Sequence, residues 1–249
     1  MKGFLLNHYS IRNMYISLAF KLEKPILPSR EEHFGTLQRI AQLFEPFGLP
    51  MDVWHPPAPT RKKSLAHAAF DRNGPTPAAL ELQRLQDEKD GMTDYRRTGI
   101  WSGSEKGKRG VLSVSFSSST RFPICLFDLQ FDEIEPLDDA RNMQQLIFGL
   151  LDICPRASDI EVGPFKYYTL HRVFPKRPGA GWMLYLPTAI TSEAVPEAAE
   201  LVPVTESGRQ TGTIIVSVAD DVFSADNPDH VKIANAIEIR LADQDLLPR

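Results

Sequence analysis

Two stretches of period-two alternation constrain the fold more than anything else in this 249-residue chain. Leu112, Val114 and Phe116 alternate with Ser113, Ser115 and Ser117, and Cys125, Phe127, Leu129 and Phe131 alternate with Leu126, Asp128 and Gln130. Successive strand side chains point to opposite faces, so each stretch has one apolar and one wetter face. Joined by the short connection 118–123, they predict an antiparallel hairpin whose apolar face needs a cover. Asp138 or Asp139 then opens a helix lined by Met143, Leu146, Ile147, Leu150 and Leu151 and closed by Pro155. The expected arrangement packs this helix across the hairpin.

The flanking regions follow the same style. Residues 15–22 read as a strand with Ile16, Leu18 and Phe20 on one face. Ser29 stands three residues before Glu32, the spacing of a capping box, and Phe34, Leu37, Ile40, Ala41 and Phe44 recur at helical spacing until Pro46 and Gly48. The proline-dense stretch 55–59 is a stiff connector. A short helix is expected over 64–72, and Thr76-Pro77 opens another. Residues 99–110, rich in Gly, Ser, Lys and Arg, read as an exposed loop. Further strands are expected at 167–174, 182–186, 201–205 and 213–218, then a final helix from Asn227-Pro228 with Val231, Ala234, Ile237 and Leu241 on its stripe. This irregular order predicts an α+β fold, a mixed but largely antiparallel sheet flanked by helices. The whole chain, 1–249, reads as one domain with two sub-lobes meeting near 99–110.

The familiar signatures of chemistry are incomplete. Gly103 to Arg109 is one residue short of a phosphate-binding loop and has Arg109 where a metal-binding hydroxyl belongs. Gly179-Ala180-Gly181 lacks the rest of a dinucleotide fingerprint. His8, His33, His55, His67, His171 and His230 are scattered, with His171 on an expected strand and His230 in the first turn of the last helix. Cys125 and Cys154 lie in apolar stretches without a local base and read as small buried hydrophobes. Asp159, Glu161 and Lys166 superficially suggest a metal-dependent nuclease but lack its close Glu-x-Lys spacing. No catalytic residue, metal or cofactor is therefore expected. The opening residues 1–6 are interrupted too early for a signal peptide, and no apolar run is long enough for a membrane span, so a cytoplasmic protein is expected.

Charge is unevenly placed. The chain has 28 basic and 32 acidic residues, yet residues 193–249 hold eleven acids against four bases. A second acidic run is Asp128, Asp132, Glu133, Glu135, Asp138 and Asp139, with no intervening base. Some of these complement helix N-termini. The rest form a surface suited to a basic partner and repellent to nucleic acid.

Several residue groups together resemble the immunity protein 52 family of bacterial polymorphic-toxin systems. They are the first strand and capped helix, Asp52-Val53-Trp54, Ser64-Leu65-Ala66-His67-Ala68-Ala69-Phe70, Gly212-Thr213-Ile214-Ile215-Val216, Phe223, Asn227-Pro228-Asp229-His230-Val231 and Asp245-Leu246-Leu247-Pro248. The resemblance covers about 15–247. It implies a cytoplasmic antitoxin that binds a cognate effector, often delivered by type VI secretion and here a nuclease with a restriction-endonuclease-like fold. The chain would act as a monomer or weak dimer, without nucleic-acid or membrane contact. Charge places the interface on Asp132, Glu133, Glu135, Asp220, Asp221 and Asp226, with Trp101 or Phe223 as exposed aromatic anchor. The alternatives from other classes are a small hydrolase or transferase with an unrecognised carboxylate site, and an adaptor in a secretion apparatus.

Overall fold

The first strand of the fold occupies the middle of its sheet. The computed structural model describes residues 14–22, 26–104, 109–119 and 124–248. Residues 1–6, His8, the connection 120–123 and 105–108 of the phosphate-loop-like stretch lie outside the described residues. In chain order the elements are β1 (Met14–Lys21), α1 (Arg30–Gln42), α2 (Arg61–Leu65), β2 (Phe70–Asp71), β3 (Gly74–Pro75), α3 (Pro77–Asp90), β4 (Tyr95–Trp101), β5 (Arg109–Ser117), β6 (Ile124–Asp132), α4 (Ala140–Ile153), β7 (Asp159–Pro164), α5 (Phe165–Leu170), β8 (Met183–Leu186), β9 (Glu200–Glu206), β10 (Arg209–Val216) and α6 (Pro228–Asp243). Eight strands form one sheet in the order β4-β5-β6-β1-β7-β8-β10-β9. Every neighbouring pair is antiparallel. The α+β class is as expected, and the sheet, expected to be mixed, is antiparallel throughout the described residues.

Register explains which face is apolar. Ile16 stands opposite Leu129 on one side and Val162 on the other, and Leu18 stands opposite Phe127 and Ile160. All six are fully buried. At about 25 cal/mol per Å² of apolar surface removed from water, such a row is the main favourable term in the fold. Helix α1 covers the hairpin half of this face. It starts with the complete Ser29–Glu32 capping box, and its Phe44 end packs edge-on against Phe131. Helix α4, capped by Asp139, lies beside α1. Gly149 permits that approach, since a Cβ there would run into Leu43. The opposite face is covered over β1 and β7, where Tyr168 of α5 meets Tyr15 edge-on, and α6 is tied to α5 through Tyr167 and Glu238.

Three local expectations are corrected, and one strand was not foreseen. Residues 99–110 are not one exposed loop: Gly99 to Trp101 close β4 and Arg109 and Gly110 open β5, its neighbour in the sheet. The short helix runs over Arg61–Leu65 because Thr60 caps Lys63; the alanines beyond it instead lead into the β2–β3 ribbon, Ala69 donating to the Trp54 carbonyl. The stretch 167–174 is not a strand. Its strand-prone residues 167–170 belong to α5, where Tyr167 must reach Glu238, and tertiary contacts override strand propensity. Strand β7 was masked by its charged alternate residues Asp159 and Glu161.

His33 on α1 is fully buried. Its Nε2 lies 2.9 Å from the Val114 carbonyl oxygen and its Nδ1 3.3 Å from Thr98 Oγ1. The ring therefore carries its proton on Nε2 and accepts from Thr98. Burial first, then Arg96, hold its pKa down at about 4, opposed by the bond to Val114 and by Asp87. The unfolded chain, titrating near 6.5, takes up the proton first, so this contribution is complete above pH 6.5 and is lost as pH falls toward 4. The shift corresponds to roughly 3 kcal/mol. Urea unfolding at pH 7 and pH 4.5 should show wild type losing clearly more stability on acidification than His33→Gln.

Candidate functional site

The strand register gathers the acidic loops at one end of the sheet. Met14 opens β1 opposite both Phe131 and Pro164, near the ends of β6 and β7. Met183 opens β8 opposite Val162 and Val216. The segments leaving β6, β7 and β10 therefore emerge at the same end. Those after β6 and β10 lie four strand spacings apart, roughly 19 Å at about 4.8 Å each.

The candidate residues divide once their surroundings are seen. Glu133 and Glu135 are exposed while Asp132 and Ile134 are buried. Glu133 adopts a left-handed φ of 56°, which swings the chain out of the sheet and turns its carboxylate to solvent. A non-glycine residue pays about 1 kcal/mol for that conformation. Asp220 and Asp221 are exposed in the segment between β10 and α6. Asp226 is exposed as well, and pairs with Lys166 of α5.

Two expected interface residues belong to the interior, and a third is half-buried and held by the fold. Asp132 is buried and pairs with Arg109 at 3.3 Å. It sits on the last position of β6, opposite Arg109, so its charge serves the sheet. Phe223 is 2% exposed and packs edge-on against Tyr167; it anchors the 217–227 segment to α5, not a partner. Trp101 is half-buried, and its indole N–H donates to Ser64 Oγ at 2.7 Å. Its backbone also exchanges both hydrogen bonds with His55, making it an edge-strand clamp.

The motif-like residues have structural duties. The Gly179–Gly181 turn closes over the Tyr168 ring; at Gly181, with φ of 49°, a Cβ would also lie 2.8 Å from the Val162 carbonyl oxygen. Arg109, the misplaced last residue of the phosphate-loop-like stretch, is the partner of Asp132. His171 follows α5 instead of lying on a strand. His230 accepts a hydrogen bond from the Ser224 amide through Nδ1. Burial pushes both thiols up, Cys154 to about 12 and Cys125 further, so neither is an activated nucleophile. Lys166 of the nuclease-like set is paired with Asp226. No cluster of three or more metal-ligating side chains occurs among the described residues.

Two glutamates, Glu238 fully buried and Glu161 half-buried, shape the surface beside the acidic end. Glu161 on β7 accepts from the Gly179 amide and pairs with Arg172 at 3.6 Å. Glu238 on α6 accepts from Tyr167 Oη and from the Val173 and Ala180 amides. The two carboxyls grip the segment that follows α5 from opposite sides. Glu238 carried a readable signal: with Ala234, Ile237 and Leu241 it completes an i, i+3, i+4, i+7 stripe, so a carboxylate had to be buried there. The same geometry leaves Ile239 off the stripe and 45% exposed, and Leu170 at the end of α5 is 69% exposed. Neither was expected at a functional surface.

No protein-family model matches the chain, and no curated protein matches it. The resemblance to the immunity protein 52 family rests on the residues quoted for it.

Burial raises the Glu161 pKa to about 7; the Gly179 bond and Arg172 oppose this, while Asp159 and Glu238 add to it. The folded chain thus holds a proton that the unfolded chain, titrating near 4.5, has released. The contribution is complete below pH 4.5 and disappears as pH rises through about 7, a swing of roughly 3 kcal/mol. Chemical unfolding should find Glu161→Gln close to wild type at pH 5 and more stable than wild type at pH 8. Equal pH dependence in the two proteins would remove the buried proton from this account.

Proposed function

We propose that this chain is an immunity protein that binds a cognate secreted toxin in the cytoplasm and neutralises it by occupation. The observation that carries the reading is the gathering of exposed Glu133, Glu135, Asp220 and Asp221 at one end of the sheet. A nuclease effector delivered by type VI secretion supplies the complementary surface, because it must present positive charge to a polyanionic substrate. An acidic protein surface competes for the same cleft or blocks its entrance. Complementary charge speeds encounter, and desolvated contacts set the lifetime of the complex.

This reading makes the chain a binding protein and not an enzyme. Glu161 and Glu238, two carboxylates drawn inward, are engaged with backbone amides. No helix among the described residues is long and apolar enough to cross a membrane.

The test is co-expression with the toxin encoded by the adjacent gene. Growth should be restored by wild type, and death of cells that hold abundant soluble chain would refute the proposal. Purified Asp220→Lys/Asp221→Lys should associate with that toxin on the order of tenfold more slowly at low salt, the difference shrinking as salt is added. An association rate equal to wild type at low ionic strength would remove these two residues from the interface.

A further inference from the structure

Arg172, the second residue after α5, is under-bonded for a guanidinium so enclosed. Its Nε is buried and has no hydrogen-bond acceptor among the described residues. Its Nη1 makes two long contacts, 3.4 Å to the Arg177 carbonyl oxygen and 3.6 Å to Glu161 Oε1. A guanidinium carries five N–H donors, and enclosing one without an acceptor costs stability. Glu161 meanwhile takes its short bond from the Gly179 amide, at 2.5 Å. The cation therefore stands between two acceptors and is closed on neither.

The backbone on both sides of the following turn is pinned. The Arg172 amide donates to the Tyr167 carbonyl, and the Val173 and Ala180 amides donate to Glu238. Between these points the chain turns at residues 174–178. The Arg177 amide donates to the Phe174 carbonyl, and the Arg177 guanidinium lies over the Phe174 ring. The Arg172 side chain ties this turn back toward α5 through the Arg177 carbonyl.

The groups facing Glu161 decide which acceptor the cation takes. Asp159 on β7 and Glu238 on α6 add negative charge. From α5 come two hydroxyls, Tyr167 committed to Glu238 and Tyr168 buried without a hydrogen-bond partner. On β1, Ser17 stands opposite Glu161, and the Tyr15 hydroxyl donates to Asp128 of β6. Strand β8 places Leu184 opposite. Arg172 supplies the positive charge. An ionised Glu161 gains by drawing that charge in, whereas a protonated one, already bonded to Gly179, makes no such demand. Burial raises the Glu161 pKa to about 7, so the demand changes across neutrality.

We infer that Arg172 is a pH-set latch: it closes on the Arg177 carbonyl while the Glu161 carboxyl is protonated and swings to Glu161 when that group ionises, so the 174–178 turn is tied back in acid and freed in base. A local change of charge thus biases two arrangements of one side chain. The latch does not depend on the immunity reading.

NMR titration of the full chain between pH 5 and pH 8 tests this. In wild type the Glu161 carboxyl carbon and the Arg172 Nε resonance should move together, with a midpoint of about 7. The Arg177 amide should lose exchange protection over the same range, after correction for intrinsic exchange. In Glu161→Gln, which keeps an acceptor for Gly179 but cannot ionise, Arg172 Nε should hold its low-pH position throughout. In Arg172→Gln the Glu161 midpoint should rise, because the opposing cation is gone. An Arg172 resonance that stays still while Glu161 titrates, or that moves equally in Glu161→Gln, would overturn the latch. So would a Glu161 midpoint at the ordinary value of 4.5, because the carboxylate would then be ionised across the whole range.

Discussion

The rest of the structure depends on the insertion of β1 between β6 and β7. The hairpin array β4-β5-β6 and the array β7-β8-β10-β9 share no strand pairing with each other except through β1. Ile16 and Leu18 meet partners from both sides, and one residue of slip would turn this apolar row to the other face. That register also decides which loops share an end of the sheet. Acidic segments about 85 residues apart in sequence come to share one end of the sheet because Met14 is opposite Phe131 and Pro164, and Met183 is opposite Val162 and Val216. The same constraint therefore makes the core and composes the charged surface.

Around this frame, a few buried polar groups fix what hydrophobic packing leaves loose. His33 ties α1 to β4 and β5 through directional bonds. Glu161 and Glu238 hold the segment after α5 from the sheet and from α6. Unpaired, such groups would each cost more than the bonds contribute. Their positions fix α5 against α6, and that spacing leaves Leu170 and Ile239 facing one groove. Glu161, which drew attention as candidate chemistry, thus helps to shape a surface. The two pH-sensitive groups, His33 and Glu161, act in opposite directions over the same acidic-to-neutral range.

Much of the fold was legible because its signals are local. Period-two alternation gave β5 and β6, Ser29 and Glu32 gave the start of α1, and Asn227-Pro228 gave the start of α6. Misreadings arose where a distant partner decided the local structure. Tyr167 and Tyr168 have strand propensity, but Glu238 and Tyr15 draw them into a helix on the sheet. Charge counts found the acidic loops but could not separate Asp132, paired with Arg109 inside the sheet, from exposed Glu133 beside it. The anchors were misjudged because aromatic identity says nothing about exposure: Phe223 is interior, whereas Leu170 faces solvent. Sequence spacing also carried no hint that the two acidic segments share one end of a sheet.

The central claim is that this chain works by covering another protein with the acidic end of its sheet. Hydrogen–deuterium exchange on the chain alone and saturated with the toxin of the adjacent gene tests this most directly. The account predicts new protection at residues 133–135 and 217–229. Unchanged exchange at both, with protection confined to the β4 or β9 edge, would contradict it.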